Sequence, residues 1–323
     1  MIRSRVPLGF PWALGTKKTK GSRMLCGKKV AIFPDQNGVT RVVDDTCPHR
    51  GASLSSGKVV GGCIQCPYHG WTFNGGGKLV DIPTSSMAPK ESNIVSYPVE
   101  ELYDFVWSVP DGTWVSPPIY PPIDDDGWHT VTGSREVKGN WIDWVANSTD
   151  ISHINYVHDF ADENNGAVEH MSVENTVAHT KCTAWVTPKA AHPLTRHMQI
   201  TKSPIVSEFI YPNTTIIHIK LKEPYEFVTY TTLTPINRTT TRITWCFAHN
   251  INLGTPVMLK MLNEHFRWQV EKTISEDEAI ISDIPEDFDF RVNVPCDKYQ
   301  TAVLDRLHSM LIDNEENLFY ILD

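Results

Sequence analysis

The sequence predicts an α+β chain in two parts, the first all-β and the second an antiparallel sheet with flanking helices. Three observations carry this. Up to about residue 115 the chain consists of short β-rich runs broken by Gly-containing turns. Residues 116–128 then read Ser-Pro-Pro-Ile-Tyr-Pro-Pro-Ile-Asp-Asp-Asp-Gly-Trp, too rich in Pro and acid to form a regular element, and mark a linker. Beyond it, segments rich in Thr, Val, Ile and Tyr over about 170–250 lie between helical patterns. The expected parts are therefore residues 1–115, a linker over 116–128, and residues 129–323.

Within the first part, residues 29–34 and 39–43 are strands split by Asp35-Gln-Asn-Gly38, a hairpin-type turn. Residues 71–73 and 78–82 flank a second turn, Asn74-Gly-Gly-Gly77, and residues 105–109 close this part. In the second part a helix is expected over 139–158, a long amphipathic helix over 256–284 and a last one over 297–312.

The 323 residues are 41% apolar, 21% charged and 10% aromatic, globular proportions with enough length for two cores. No apolar run approaches the roughly 18 residues a membrane helix needs, and no signal-peptide pattern opens the chain. The expectation is no membrane span and a cytoplasmic location, or an organelle stroma if a transit peptide has been removed. The net charge of -9 conceals a split: residues 1–58 hold eleven Lys/Arg against three Asp, about +8, and the rest holds 18 basic against 35 acidic residues, about -17. Most of the chain would repel phosphate, so no nucleic-acid partner is expected. A basic face that steers an acidic protein suits the split better. Seven cysteines without an export signal argue against a disulfide framework and leave ligands, catalysts or core fillers.

Cys47-Pro-His49 is followed by Cys66-Pro-Tyr-His69, each pair set among turn-forming Pro and Gly. Two such loops can present four side chains to one metal centre. Zinc fingers keep their cysteines together and their histidines together. Here each loop gives one of each, which suits a two-iron cluster with cysteines on one iron and histidines on the other. Zinc remains the alternative for such a donor set.

Asp150, His153 and His158 form a second group. Neutral imidazoles bind several transition metals. Residues five apart on an ideal helix point about 140° apart, so the helix must loosen, bulge or end between the two histidines. A third ligand comes from the long helix, whose apolar stripe runs Phe266, Val270, Ile274, Ile281 and Ile284. Asp277 falls on that stripe, where a carboxylate is costly without a partner. Glu276, Glu278 and Asp283 fall off it and read as solvated charges, with Asp283 as the fallback ligand. Two histidines and one carboxylate with open positions form the facial triad of non-haem Fe(II) oxygen-activating sites.

Cys47-Pro-His-Arg-Gly and Cys66-Pro-Tyr-His-Gly-Trp71 resemble the Rieske [2Fe–2S] motif in its oxygenase form. Asn147-x-x-Asp150-x-x-His153-x-x-x-x-His158 resembles the mononuclear iron motif of the Rieske non-haem iron oxygenases, and Glu276-Asp277-Glu-Ala-Ile resembles their carboxylate segment. The resemblance spans about residues 25–312. It implies a Rieske domain followed by a helix-grip-like catalytic domain. It implies a [2Fe–2S] cluster on Cys47, His49, Cys66 and His69, and Fe(II) on His153, His158 and Asp277. It further implies a homotrimer in which Asp150 reaches His69 or His49 of a neighbouring subunit. The activity implied is hydroxylation or oxidative demethylation of a small organic substrate with O₂, using electrons from a separate ferredoxin and/or flavin reductase. Arg50 and Lys58 would belong to the docking face. A Rieske electron-transfer protein with a non-catalytic second site is the alternative. His218 and His249, on strand-like segments, read as satisfied structural histidines, with the lining of a substrate pocket as the alternative, and the loop over 159–167 is a candidate lid.

Overall fold

Described here is a computed structural model, covering all residues except 1–3, 88, 112–114, 121–122, 124–125, 160–167, 188–201, 253, 287, 289–291, 313–318 and 322–323. Most of the loop proposed as a lid thus lies outside the described residues. The chain divides into two compact units between Pro117 and Pro118. Two later pieces return to the first unit: Thr234–Asn237 and the segment holding the strand Phe319–Ile321. The expected contiguous parts omit both.

In the first unit, hairpins build small antiparallel sheets. One has the order Ser96–Tyr97, Thr40–Asp44, Lys28–Pro34, Gly21–Leu25. A second runs Val99–Leu102, Phe105–Ser108, Trp12–Thr16, and a third Lys58–Val60, Cys63–Gln65, Thr72–Phe73, Leu79–Asp81. Arg5–Pro7 pairs with Phe319–Ile321. The turn at Asp35 is fixed by its own side chain, whose Oδ1 accepts from the backbone N–H of Asn37 and Val39 while Oδ2 accepts from Arg41. In one of its core clusters Ala31, Phe33, Val43, Leu54, Ile64, Phe73 and Leu79 pack with Trp71 and with the two cysteines Cys47 and Cys66.

The second unit is a seven-stranded sheet. Glu169–Asn175, His179–Val186, Ser203–Ile210, Thr214–Lys222, Tyr225–Asn237 and Thr240–His249 are successive neighbours, and His129–Lys138 lies antiparallel beside the last. Among the described residues four α-helices accompany it: α1 (Trp141–Thr149), α2 (Ile154–Val157), α3 (Pro256–Ile281) and α4 (Lys298–Ile312). The α+β class read from the sequence holds. α1 begins at Asn140, whose side chain accepts from the N–H of Ile142, and buries Trp141, Ile142, Trp144 and Val145. α3 begins at Thr255, whose hydroxyl accepts from Met258 N–H, with Pro256 in the first turn, where its missing donor costs nothing. Its buried residues are Phe266, Ile274, Asp277 and Ile281, so the carboxylate does sit on the apolar stripe. α4 buries Tyr299, Val303, Leu307 and Leu311.

The single helix expected over 139–158 is two pieces. Ser148 and Thr149 turn their hydroxyls back onto the Val145 carbonyl, which competes with the helical ladder. Asp150 then caps the next turn, its Oδ1 accepting from the N–H of Ser152 and of His153. α2 lasts one turn, and His158 beyond it is extended, with φ -106° and ψ 137°.

Candidate metal centres

The two Cys/His loops share one backbone frame. The N–H of Cys47 donates to the Ala52 carbonyl and that of Gly51 donates back to Cys47. In the same way Cys66 N–H donates to Trp71 and Gly70 N–H donates to Cys66. Gly51 and Gly70 close these turns at φ +76° and +75°, conformations that side-chain-bearing residues rarely adopt. The second loop joins the strands Cys63–Gln65 and Thr72–Phe73, and the first follows Thr40–Asp44.

The frame brings the four side chains together. Both cysteines are buried, His49 is half-buried and His69 is exposed. The His49 and His69 rings lie 4.5 Å apart, and Trp71 stacks parallel on His49 at 4.6 Å. Tyr68 covers His69 at 3.9 Å. Burial raises the Cys47 thiol pKa; the N–H of His49 opposes this and the adjacent Cys66 adds to it. Burial, then His69 and Arg50, lower that of His49 and favour the neutral ring that ligates metals. His49 Nδ1 is buried without a hydrogen-bond partner among the described residues. Two buried thiols, a neutral imidazole and an orphaned ring nitrogen fit a bound thiophilic metal group, which would satisfy all of them.

Behind this loop sits Asp45, fully buried. Its carboxylate accepts from Ser22 Oγ at 2.9 Å, Ser55 N–H at 2.6 Å and Ser55 Oγ at 2.9 Å, with Lys29 Nζ at 3.3 Å. In the sequence Asp45 stands only as one acid in a basic segment.

In the second unit the structure brings His153, His158 and Asp277 together, one ligand atom of each lying within 4.8 Å of the others. Both Nε2 atoms stand 3.4 Å from Asp277 Oδ1. Each opposite nitrogen is anchored: His153 Nδ1 donates to the Asp150 carbonyl at 2.6 Å, and His158 Nδ1 to Glu276 Oε2 at 2.9 Å. The rings therefore turn the same atom, Nε2, inward. The extended backbone at His158 brings the two rings together despite their spacing. Burial works against protonating His153, but Asp277 and Asp150 outweigh it and raise its pKa. A site that attracts positive charge, with two imidazoles and one carboxylate, fits a divalent transition metal. Asn147 Nδ2 lies 3.3 Å from Asp277 Oδ1 and 3.4 Å from His153 Nε2, so α1 also contributes to this group.

Asp283 is exposed, its N–H bonded to the Ile280 carbonyl, and is not in the cluster. Glu276 and Glu278 are not merely solvated: Glu276 holds His158, and Glu278 binds Arg135 and the N–H of Lys138 on the neighbouring strand. Apolar periodicity along a helix marks which residues face the core, and these pairs form at its flank. His218 lies between Tyr120 and Glu226, and His249 bonds Asn263 and the N–H of Ile251. Both rings are satisfied by neighbours outside the ligand cluster.

A Rieske [2Fe–2S] domain model matches residues 10–98, and a vanillate O-demethylase oxygenase C-terminal domain model matches residues 137–312, more than half of the chain. The chain belongs to the Rieske oxygenases. It is 37% identical over 141 residues to the oxygenase component of dicamba O-demethylase from Stenotrophomonas maltophilia, across 42% of either chain. It is 34% identical over 145 residues to the oxygenase subunit of 3-chlorobenzoate-3,4-dioxygenase from Comamonas testosteroni, across 42% of this chain and 32% of that one. These matches span less than half of the curated relatives' length. Among solved structures, dicamba monooxygenase bound to dicamba superposes with a TM-score of 0.80 at 21% identity, covering 96% of this chain and 98% of that one. Pseudomonas putida CBB5 NdmA with caffeine gives 0.77 at 19% identity, covering 98% and 96%. At such identity the superpositions establish that this Rieske oxygenase shares their fold. No described helix is long and apolar enough to cross a membrane.

Proposed function

We propose that this chain is the terminal oxygenase of a Rieske system, which hydroxylates or oxidatively demethylates a small organic substrate. The observation that carries the reading is the convergence of His153, His158 and Asp277, in a chain whose front part is a Rieske domain. Cys47, His49, Cys66 and His69 would hold a [2Fe–2S] cluster, and His153, His158 and Asp277 would hold Fe(II). Together these groups supply stored single electrons and a centre at which O₂ is reduced beside the substrate.

The chain's own residues prepare both places. The Asp150 carbonyl and the Glu276 carboxylate each accept a hydrogen bond from an Nδ1–H and leave Nε2 free to ligate. Trp71 holds the His49 ring flat against it. Asp150 serves within the chain as a cap through Oδ1. Its proposed further role is to reach His69 or His49 of a neighbouring subunit in a homotrimer. His69, exposed at the tip of its loop, suits such a contact. Electrons come from a separate reductase, with or without a ferredoxin, docking near the exposed Arg50 and Lys58.

The test is metal content combined with turnover. Three irons per chain and O₂ uptake that depends on substrate, across a panel of aromatics, N-methyl compounds and sterols with a surrogate reductase, are expected. Two irons per chain and no substrate-dependent uptake would refute the oxygenase and fit an electron carrier. Reduction by an acidic partner should slow as salt rises; salt-insensitive reduction would refute the docking face.

A further inference from the structure

α3 does more than deliver Asp277. One residue earlier, Glu276 Oε2 accepts from His158 Nδ1 at 2.9 Å, across 118 residues of sequence. The His158 side chain is only 2% exposed and that of Glu276 24%. On its other side Glu276 meets Lys272 Nζ at 3.5 Å, one helical turn back on α3. The same ammonium bonds the carboxylate of Asp159, the residue directly after His158, and lies over the Trp268 ring at 5.4 Å. α3 thus grips the His158 segment twice, at the imidazole through Glu276 and at the next residue through Lys272.

We propose that Glu276, steadied by Lys272, is a positioning residue that fixes the tautomer and orientation of His158 for metal binding. This inference rests on the metal site proposed above. The physical case has three parts. His158 caps the end of α2, its N–H closing on the Ile154 carbonyl while its own φ and ψ are extended, so α2 does not by itself orient the ring. A buried imidazole proton without an acceptor is costly, so the ring settles where Nδ1 meets Glu276 and Nε2 faces Asp277. A carboxylate acceptor also raises the basicity of the opposite nitrogen, a general effect of outer partners on ligating histidines. At Nδ1, His153 obtains its acceptor from a local carbonyl, whereas His158 takes a side chain from a distant element.

The experiment is equilibrium binding of Fe(II) to the anaerobic, cluster-containing protein, with Co(II) absorption bands as a second reading of the ligand set. Glu276→Ala should weaken Fe(II) binding about 10- to 100-fold and alter the Co(II) bands, leaving Rieske absorbance and circular dichroism unchanged. Glu276→Gln should recover most of the affinity, because its amide oxygen still accepts. Lys272→Met should give a smaller loss. Glu278→Gln, on the same helix but bonded to Arg135, should bind as the wild type does. The inference is overturned if Glu276→Ala binds Fe(II) within about threefold of wild type with unchanged Co(II) bands, or if Glu278→Gln weakens binding equally. Should Glu276→Ala fail to fold, the Gln and Lys272→Met variants decide, and wild-type affinity with unchanged bands in both overturns it. A wild-type protein that takes up no metal here overturns the metal site itself, and this inference with it.

Discussion

Replacing Asp45 by Ala should open the first cluster loop by an amount that its contacts set. The carboxylate is fully buried and receives Ser55 N–H at 2.6 Å and the hydroxyls of Ser22 and Ser55 at 2.9 Å each. Hydrogen bonds to charged groups contribute about 1.5–3 kcal/mol apiece. Their simple sum overstates the loss, because the two hydroxyls can rotate toward other acceptors or admitted water. The Ser55 amide cannot rotate, and Lys29 loses its counter-charge at 3.3 Å. Removing one partner of a buried charged pair typically costs about 3–5 kcal/mol, and we expect a loss near the lower end because Lys29 is half exposed. At 1.36 kcal/mol per decade, about 3 kcal/mol is a roughly 150-fold rise in the open population. Hydrogen–deuterium exchange over peptides spanning 45–57 would read it directly. The backbone links concerned are Leu54 N–H to the Asp45 carbonyl and Cys47 N–H to the Ala52 carbonyl. Asp45→Asn should lie between, since its amide keeps one acceptor. Exchange in Asp45→Ala within threefold of wild type would refute the argument that this carboxylate holds the loop.

Asp277→Ala should lower iron from three to two per chain while the visible Rieske absorbance persists; three irons, or turnover with substrate, would show the ligand assignment to be wrong. His249 is buried, and burial with neighbouring His129 holds its pKa below the usual 6.5, although Asn263 pulls it upward. The unfolded chain therefore takes up this proton first: the ring's contribution to stability is full above about pH 6.5 and is lost as pH falls toward the folded-state value. Urea midpoints between pH 7 and 5 should fall more steeply for wild type than for His249→Gln, and equal slopes would refute the assignment. Burial pushes the Cys182 thiol up to about 12, so in native protein at pH 8 it should escape iodoacetamide; labelling at the rate of a free thiol would contradict the structure.

What the sequence disclosed and what it hid divide along the range of the physical signal. The two Cys/His pairs are local, each within four residues, and were legible as a set. Asp277 was legible because the stripe on which it sits is periodic along one helix. Glu276 was not. Its partner lies on another element, and the angle that placed it off the stripe also placed it beside the ring it holds. The pairing of Arg5–Pro7 with Phe319–Ile321 joins segments more than three hundred residues apart and has no local signature. The break at Asp150 did leave a local trace, since Ser148-Thr149-Asp150 are residues that bond their own backbone. The apolar periodicity on either side outweighed that trace, and the reading ran one helix through it.

The cluster loops show why spacing alone groups four side chains without describing their geometry. Counted along the chain the loops differ, with histidine two residues after Cys47 and three after Cys66. Counted along the backbone they agree, since each cysteine N–H reaches the carbonyl five residues on and each glycine four residues on closes back to the cysteine. The frame therefore fixes the cysteines equivalently, and both enter the buried core. The histidines leave the frame one position apart, so their rings cannot be equivalent. One is half-buried and stacked parallel on Trp71, while the other is exposed and covered by Tyr68 from its own loop. The resulting centre has thiols inward and imidazoles outward. A [2Fe–2S] cluster held there would be open to electrons from the imidazole side, with its thiolates shielded by the core that folds the domain.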